Sequence, residues 1–205
     1  MGEVSLQEVR SPEQYRDTIG SMLEEVTRLT SLVENLLTIS RADAGQIELK
    51  ISVFSPHELV QEVVSLMEVL AEERGQQIVV AGDASATVKG DRLLLRQALV
   101  NVLHNATKYS PGGGKITVST AVSRPDWVSI TISDSGPGIA PEHRDKIFRR
   151  FYRIDEARTR GEGGSGLGLA IAQWSVQAQG GQIVVQEGTE GATFAITLPA
   201  FRVNS

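Results

Sequence analysis

The sequence predicts an α+β fold, a two-layer sandwich of a mostly antiparallel sheet and three helices, preceded by a long bundle or coiled-coil helix. Three observations lead there. The first 45 residues carry a heptad stripe and no strand signal. Short runs of strand character recur from residue 47 to the C-terminal end. Between them stand three longer runs of helical period, at 57–74, 91–108 and 165–179, and helices segregated on one sheet make a two-layer arrangement.

Ser11-Pro12-Glu13-Gln14 predicts a helix start: serine as N-cap, proline in the first turn and glutamine closing a capping box. From there Tyr15, Ile19, Met22, Val26, Leu29, Val33 and Leu36 step by 4 and 3 residues alternately, the spacing that buries one seam against partner helices. Leu23, Leu32 and Leu37 widen that stripe, and Gly45 ends the helix. Residues 1–45 are therefore expected to carry a bundle or dimer helix and 46–205 a second domain.

That domain opens with a strand at 47–54 and a helix at 57–74, whose predicted inner face is Leu59, Val63, Leu66, Met67 and Leu70. Further strands are expected at 77–81, 115–122, 127–133, 182–187 and 192–198, with a shorter helix at 141–147. The glycine-rich interval 155–164 is expected to be a loop between two motifs.

Composition narrows the function classes. With 40% hydrophobic and 22% charged residues among 205, a conventional core is expected, and no apolar run reaches the length of a bilayer span. The absence of cysteine removes disulfides and thiolate metal sites, and His57, His104 and His143 lack helical metal-ligand spacing. A net charge of −5 argues against nucleic acid as a partner, although Arg149, Arg150 and Arg153 form a local group suited to phosphate.

The chemistry concentrates in four places. On the helix 91–108, Asn101, Asn105 and Lys108 lie at i, i+4 and i+7 and so share one face. An amide oxygen suits Mg²⁺, and a lysine neutralises phosphate. Asp134 ends the strand WVSITIS before Gly136-Pro137-Gly138. An ionised carboxylate only accepts hydrogen bonds, so it pairs with the exocyclic amine of adenine and repels the guanine carbonyl, while the glycines leave room for a base. Gly161, Gly163, Gly164, Gly166 and Gly168 precede a helical run, backbone suited to wrapping phosphate. No Lys-Ser or Lys-Thr follows them and no strand comes directly before, so neither a P-loop nor a dinucleotide fingerprint is present. Phe148 and Phe151 are expected to pack under this loop, and Trp174 to pack its helix.

In order, NVLHNATKYSP (101–111), DSGPGI (134–139), IFRRFYR (147–153) and GEGGSGLGLAI (161–171) resemble the N, first glycine, F and second glycine boxes of sensor histidine kinases. Their ATP-binding fold is shared with DNA gyrase and the heat-shock chaperone ATPases. The resemblance implies ATP as substrate and Mg²⁺ held at Asn105. It implies a nucleotide site that also includes Asn101, Lys108, Tyr109, Asp134, Gly136, Gly138, Ile139, Arg153, Gly163, Gly164, Ser165, Gly166, Leu167, Gly168 and Leu169. It further implies a homodimeric parent protein, a membrane sensor with this portion on the cytoplasmic side, that passes the phosphoryl group to a response-regulator aspartate.

Two departures bear on activity. Hydrolytic relatives place a glutamate one turn before the metal-binding asparagine; here that position is Asn101, and an amide is no base. The kinases' acceptor segment, His-(Glu/Asp)-Leu-Arg-x-Pro-Leu, does not occur, and His57-Glu58-Leu59 matches only its start. Met1–Leu6 resembles the tail of the first hairpin helix, so the chain is expected to be a fragment beginning just past its acceptor, or else a naturally acceptor-less protein. A smaller departure is Ala192, where a hydroxyl residue often supports the adenine carboxylate; Thr193 is the alternative supplier.

Overall fold

The structure, a computed structural model, describes residues 11–82, 86–124, 126–154, 165–187 and 190–201. The chain divides into two compact units between Gly45 and Gln46.

The first unit is helix α1 (Pro12–Asp43). Its N-terminus carries the predicted capping box: the Gln14 N–H donates to Ser11 Oγ (3.3 Å), and the Ser11 N–H donates to Gln14 Oε1 (3.0 Å). Gly45 follows at φ +64°, the left-handed conformation that stops a helix. The heptad residues stand out from it, with Ile19, Leu29 and Val33 all more than half exposed.

The second unit contains β1 (Ile51–Phe54), α2 (Pro56–Glu73), β2 (Gln77–Gly82), β3 (Val88–Asp91), α3 (Arg92–Tyr109), β4 (Lys115–Arg124) and β5 (Trp127–Ser133). It continues with the short α4 (Pro141–Arg144), a 3₁₀ turn (Lys146–Phe148), α5 (Gly168–Gln177), β6 (Gln182–Gln186) and β7 (Thr193–Pro199). A five-stranded sheet runs in the order β2-β4-β5-β7-β6. Every neighbouring pair is antiparallel except β2–β4, which is parallel because β3 and α3 form the crossover between them. The α+β sandwich expected from the sequence is the fold observed.

Alternation along the central strands decides which face is covered. Ile116, Val118, Val128, Ile130, Ile132, Phe194, Ile196 and Leu198 are buried, and they share one core with Leu59, Val63, Leu95, Leu99, Val102, Leu103, Ala172 and Val176 of the helices. Of the residues between them on the strands, Ser119, Ser129, Thr131 and Thr197 stay partly exposed and Ala195 is buried, so the second face of the sheet is largely polar.

Several elements differ from expectation. Residues 47–50 are irregular, and only Ile51–Phe54 form a strand, in a separate two-stranded sheet with β3. Strand β3 has no counterpart in the sequence reading, because VKGD lacks an apolar alternation and exists through its pairing with β1. The predicted helix 141–147 is a single α-turn followed by a 3₁₀ turn. Leu66, expected inside, is 55% exposed, since the buried stripe of α2 follows Leu59, Val60, Val63, Val64, Met67 and Ala71. Helix α5 starts at Gly168 rather than 165, because Gly166 at φ +69° is still outside helical conformation.

Candidate functional site

Asp134 lies just past the end of β5 and is 7% exposed. Its N–H donates to the Ala192 carbonyl (2.9 Å), which holds it against the start of β7. Its Oδ1 accepts two amides, Gly136 N–H at 2.8 Å and Ala192 N–H at 3.1 Å. Oδ2 takes no hydrogen bond from the described residues. Burial pushes the carboxyl above the usual aspartate value, while the amides of Ala192 and Gly136 pull the other way. The turn is built for close approach: a Cβ on Gly191 (φ +74°) would lie 1.9 Å from the Asp134 carbonyl oxygen, and one on Gly136 would lie 2.8 Å from the Tyr109 carbonyl.

The hydroxyl question at Ala192 resolves in an unexpected way. Thr193 Oγ1 pairs with Ser133 Oγ at 3.0 Å, on the polar face of the sheet, and does not serve Asp134. The Ala192 backbone amide supports the carboxylate instead. Its only sequence signal is Gly191, the glycine that lets the chain approach.

Along α3, Asn101 and Asn105 are half-buried. Asn101 faces the start of α5, since a Cβ on Gly168 would lie 3.2 Å from Asn101 Oδ1. Its Nδ2 is buried with no partner among the described residues. Lys108 Nζ lies 5.3 Å from the centre of the exposed Tyr109 ring, a cation–π contact. On the same helix, His104 is pushed below the usual histidine value, first by desolvation and then by the cations of Lys108 and Arg74.

The segment after Asp134 folds back under the site. Half-buried Ile139 packs on the core, and its carbonyl accepts from Arg144 Nε (3.2 Å). Phe148 is buried edge-on against Phe194 in the core. Phe151 is not: it is 61% exposed and is the described non-glycine residue with positive φ, at 62°. Its N–H donates to the Gly166 carbonyl (2.9 Å), and Gly166 is needed because a Cβ there would lie 2.9 Å from Phe151 Cα. This bond joins the two described ends of the glycine-rich interval. Gly163, Gly164 and the rest of 155–164 lie outside the described residues.

Arg153, Ser165 and Gly138 are half-buried around these turns. Leu167 is fully buried, its N–H donating to Ser165 Oγ (3.4 Å) and its carbonyl accepting from Ile171 N–H (2.9 Å), and Leu169 packs partly on the core. His143, expected on an exposed helix, is half-buried, with Nδ1 2.6 Å from the Tyr152 hydroxyl. His57 sits in the first turn of α2 with Nδ1 2.8 Å from Thr120 Oγ1. The structure thus joins Asp134 to Gly136, Asn101 to Gly168 and Phe151 to Gly166. Among the described residues there is no cluster of three or more histidines and carboxylates to hold a metal.

Residues 90–202 match the family model described as "Histidine kinase-, DNA gyrase B-, and HSP90-like ATPase". The chain belongs to that family. Its relatives and structural neighbours in that family include sensor histidine kinases. It is 38% identical over 198 residues to the sensor histidine kinase CusS of Escherichia coli K12, a match that covers 97% of this chain and 41% of CusS. The chain therefore spans about two-fifths to one half of the length of the curated relatives it matches. Full-length ShkA, solved with AMPPNP, superposes with a TM-score of 0.81 at 30% identity, covering 97% of this chain and 41% of ShkA. Histidine kinase ThkA, solved in complex with the response regulator protein TrrA, superposes at 0.75 with 25% identity, covering 94% of this chain and 53% of ThkA.

Proposed function

We propose that this chain is the donor half of a histidine kinase: it binds MgATP and delivers the γ-phosphoryl group to a histidine outside these 205 residues. The observation that carries the reading is Asp134, a half-committed carboxylate whose Oδ1 is held by two amides and whose Oδ2 is left to read an exocyclic amine. In this reading Gly136 and Gly138 admit the base, and Ile139 and Tyr109 flank it. Lys108, Arg153 and the backbone of Ser165–Leu169 neutralise and orient the phosphates.

The donor set fits a metal that arrives with the nucleotide. Among the described residues no carboxylate cluster accompanies Asn105, and a neutral amide would suit Mg²⁺ brought in by the nucleotide. Asn105 is the residue that would hold it, and the ion supplies neutralisation of the phosphate charge. Transfer then depends on positioning more than on covalent chemistry. The Pγ–O bond to ADP breaks as a P–N bond forms on the acceptor imidazole, whose proton passes to solvent water. Asn101, an amide facing Gly168, offers no base to activate water, which favours transfer over hydrolysis.

His57 and His143 are engaged with Thr120 and Tyr152, which supports an acceptor elsewhere. We assign α1 to the dimerisation and phosphotransfer hairpin, for which its exposed heptad seam is the support. The same reading makes the parent protein a membrane sensor with this portion on its cytoplasmic side; no described helix is long and apolar enough to cross a membrane. A response-regulator aspartate is the proposed final acceptor, by analogy with the ThkA–TrrA complex.

Incubation with γ-labelled ATP and Mg²⁺, alone and with a histidine-bearing copy of the upstream hairpin, tests the reading. Label confined to the added hairpin is the expected result. Nucleotide binding without transfer would overturn the kinase assignment in favour of a regulatory ATP-binding module.

A further inference from the structure

The C-terminal end of α3, which carries Lys108 and Tyr109, leaves carbonyls that no helical N–H can reach. Two side chains from a distant part of the chain answer them. Gln76, 6% exposed between α2 and β2, directs its Nε2 to the carbonyls of Thr107 (2.9 Å), Ser110 (3.0 Å) and Pro111 (3.3 Å). Arg74 Nη1 approaches the Thr107 and Lys108 carbonyls, each at 3.4 Å. The backbone tightens the same grip, with Gln77 N–H donating to Gly114 (3.0 Å) and Gly113 N–H donating to Arg74 (3.3 Å).

From the gripped segment the contacts lead to the base-reading turn. The Tyr109 carbonyl lies where a Cβ on Gly136 would collide, and Lys115 N–H donates to Ser135 Oγ (2.9 Å). Ser135 and Gly136 are the residues directly after Asp134. The Gln76 oxygen is buried without a partner among the described residues, so the amide is held here despite the desolvation cost of its second half. A site needing only volume would be served better by an apolar side chain.

Resting on the nucleotide reading above, we infer that Gln76 is a positioning residue for nucleotide binding: its amide sets the α3 terminus so that Lys108, Tyr109 and the Asp134 turn stand in register. Reversal of its polarity is the direct perturbation. Gln76→Glu keeps the shape and places a carboxylate oxygen against three carbonyls. Gln76→Met keeps the volume and removes the donor.

The experiment measures ATP affinity of the 205-residue chain by calorimetry well below its melting temperature, beside thermal melts, with Lys108→Ala and the Gln76/Lys108 double variant completing a cycle. Expected are a tenfold or greater loss of affinity in both single Gln76 variants and a loss in the double variant well short of the product of the single losses. A lowered melting temperature with unchanged affinity, or losses that multiply independently, would overturn the inference. So would failure of both variants to fold, which makes Gln76 a stability residue. Wild-type protein that does not bind ATP would instead sink the nucleotide site itself.

Discussion

Replacing Asp134 by asparagine changes two atoms' chemistry and almost no volume, and the surrounding amides dictate the outcome. Gly136 and Ala192 both donate to Oδ1, so the asparagine oxygen must occupy that place. The opposite orientation would set an NH₂ group against two N–H donors, forfeiting two hydrogen bonds of about 1 kcal/mol each. The NH₂ therefore lands where Oδ2 was, presenting a donor to the adenine amine, itself a donor. The charge-assisted hydrogen bond lost is worth about 1.5–3 kcal/mol, and the donor left unpaired costs about 1–3 kcal/mol more. Together they predict a loss of roughly 2.5–6 kcal/mol, about two to four orders of magnitude in ATP affinity. The free protein should not suffer, because a carboxyl disfavoured by burial has been exchanged for a neutral group that keeps both amide bonds. Calorimetric titration with ATP and GTP and a thermal melt read all of this. ATP affinity should collapse, the ratio of ATP to GTP affinity should fall, and the melting temperature should hold or rise. ATP affinity within tenfold of wild type in a folded Asp134→Asn protein would refute the reasoning.

Acid should act on the same carboxylate with opposite signs in the two measurements. Because burial raises the Asp134 pKa above that of the unfolded chain, the folded form binds the extra proton between the two values. The stability it contributes is fully present below the unfolded pKa and is lost as pH rises through the folded one. ATP affinity follows the ionised form, so wild type should lose affinity on acidification from a higher pH than an ordinary aspartate would give, seen as a pH-dependent Kd, and Asp134→Asn should show neither trend. Gly191→Ala is expected to cost at least about 2–3 kcal/mol in urea unfolding, since left-handed strain is joined by overlap with the Asp134 carbonyl oxygen 1.9 Å from the new Cβ. Gly113→Ala, at φ +76° with nothing within 4 Å, should cost only about 1–2 kcal/mol, the conformational part alone. Ser11→Ala removes the Oγ acceptor of the Gln14 N–H and should destabilise the start of α1 by about 1 kcal/mol, visible as lost helical circular dichroism and faster amide exchange there.

The sequence by itself determined what depends on residues near one another in the chain. The capping box of α1, its stop at Gly45, the strands of the central hairpin and the asparagine face of α3 all follow from spacings of two to seven residues. The order of motifs sufficed to identify the ATP-binding domain, because glycines, amides and a carboxylate at those positions are chemically restrictive.

Tertiary structure decided what depends on partners far away. Strand β3 exists because β1 pairs with it, and the sheet acquires one parallel neighbour because α3 crosses over. Phe151 turned outward because its backbone, at φ 62°, is bound to Gly166 and not because of its own hydrophobicity. The support of Asp134 comes from an amide 58 residues on, and the α3 terminus is held by Gln76, 31 to 35 residues before the carbonyls it reaches. Backbone donors and acceptors are present at nearly every residue, so the sequence carries no mark of which are used; only the folded chain brings one pair within 3 Å and leaves the rest apart.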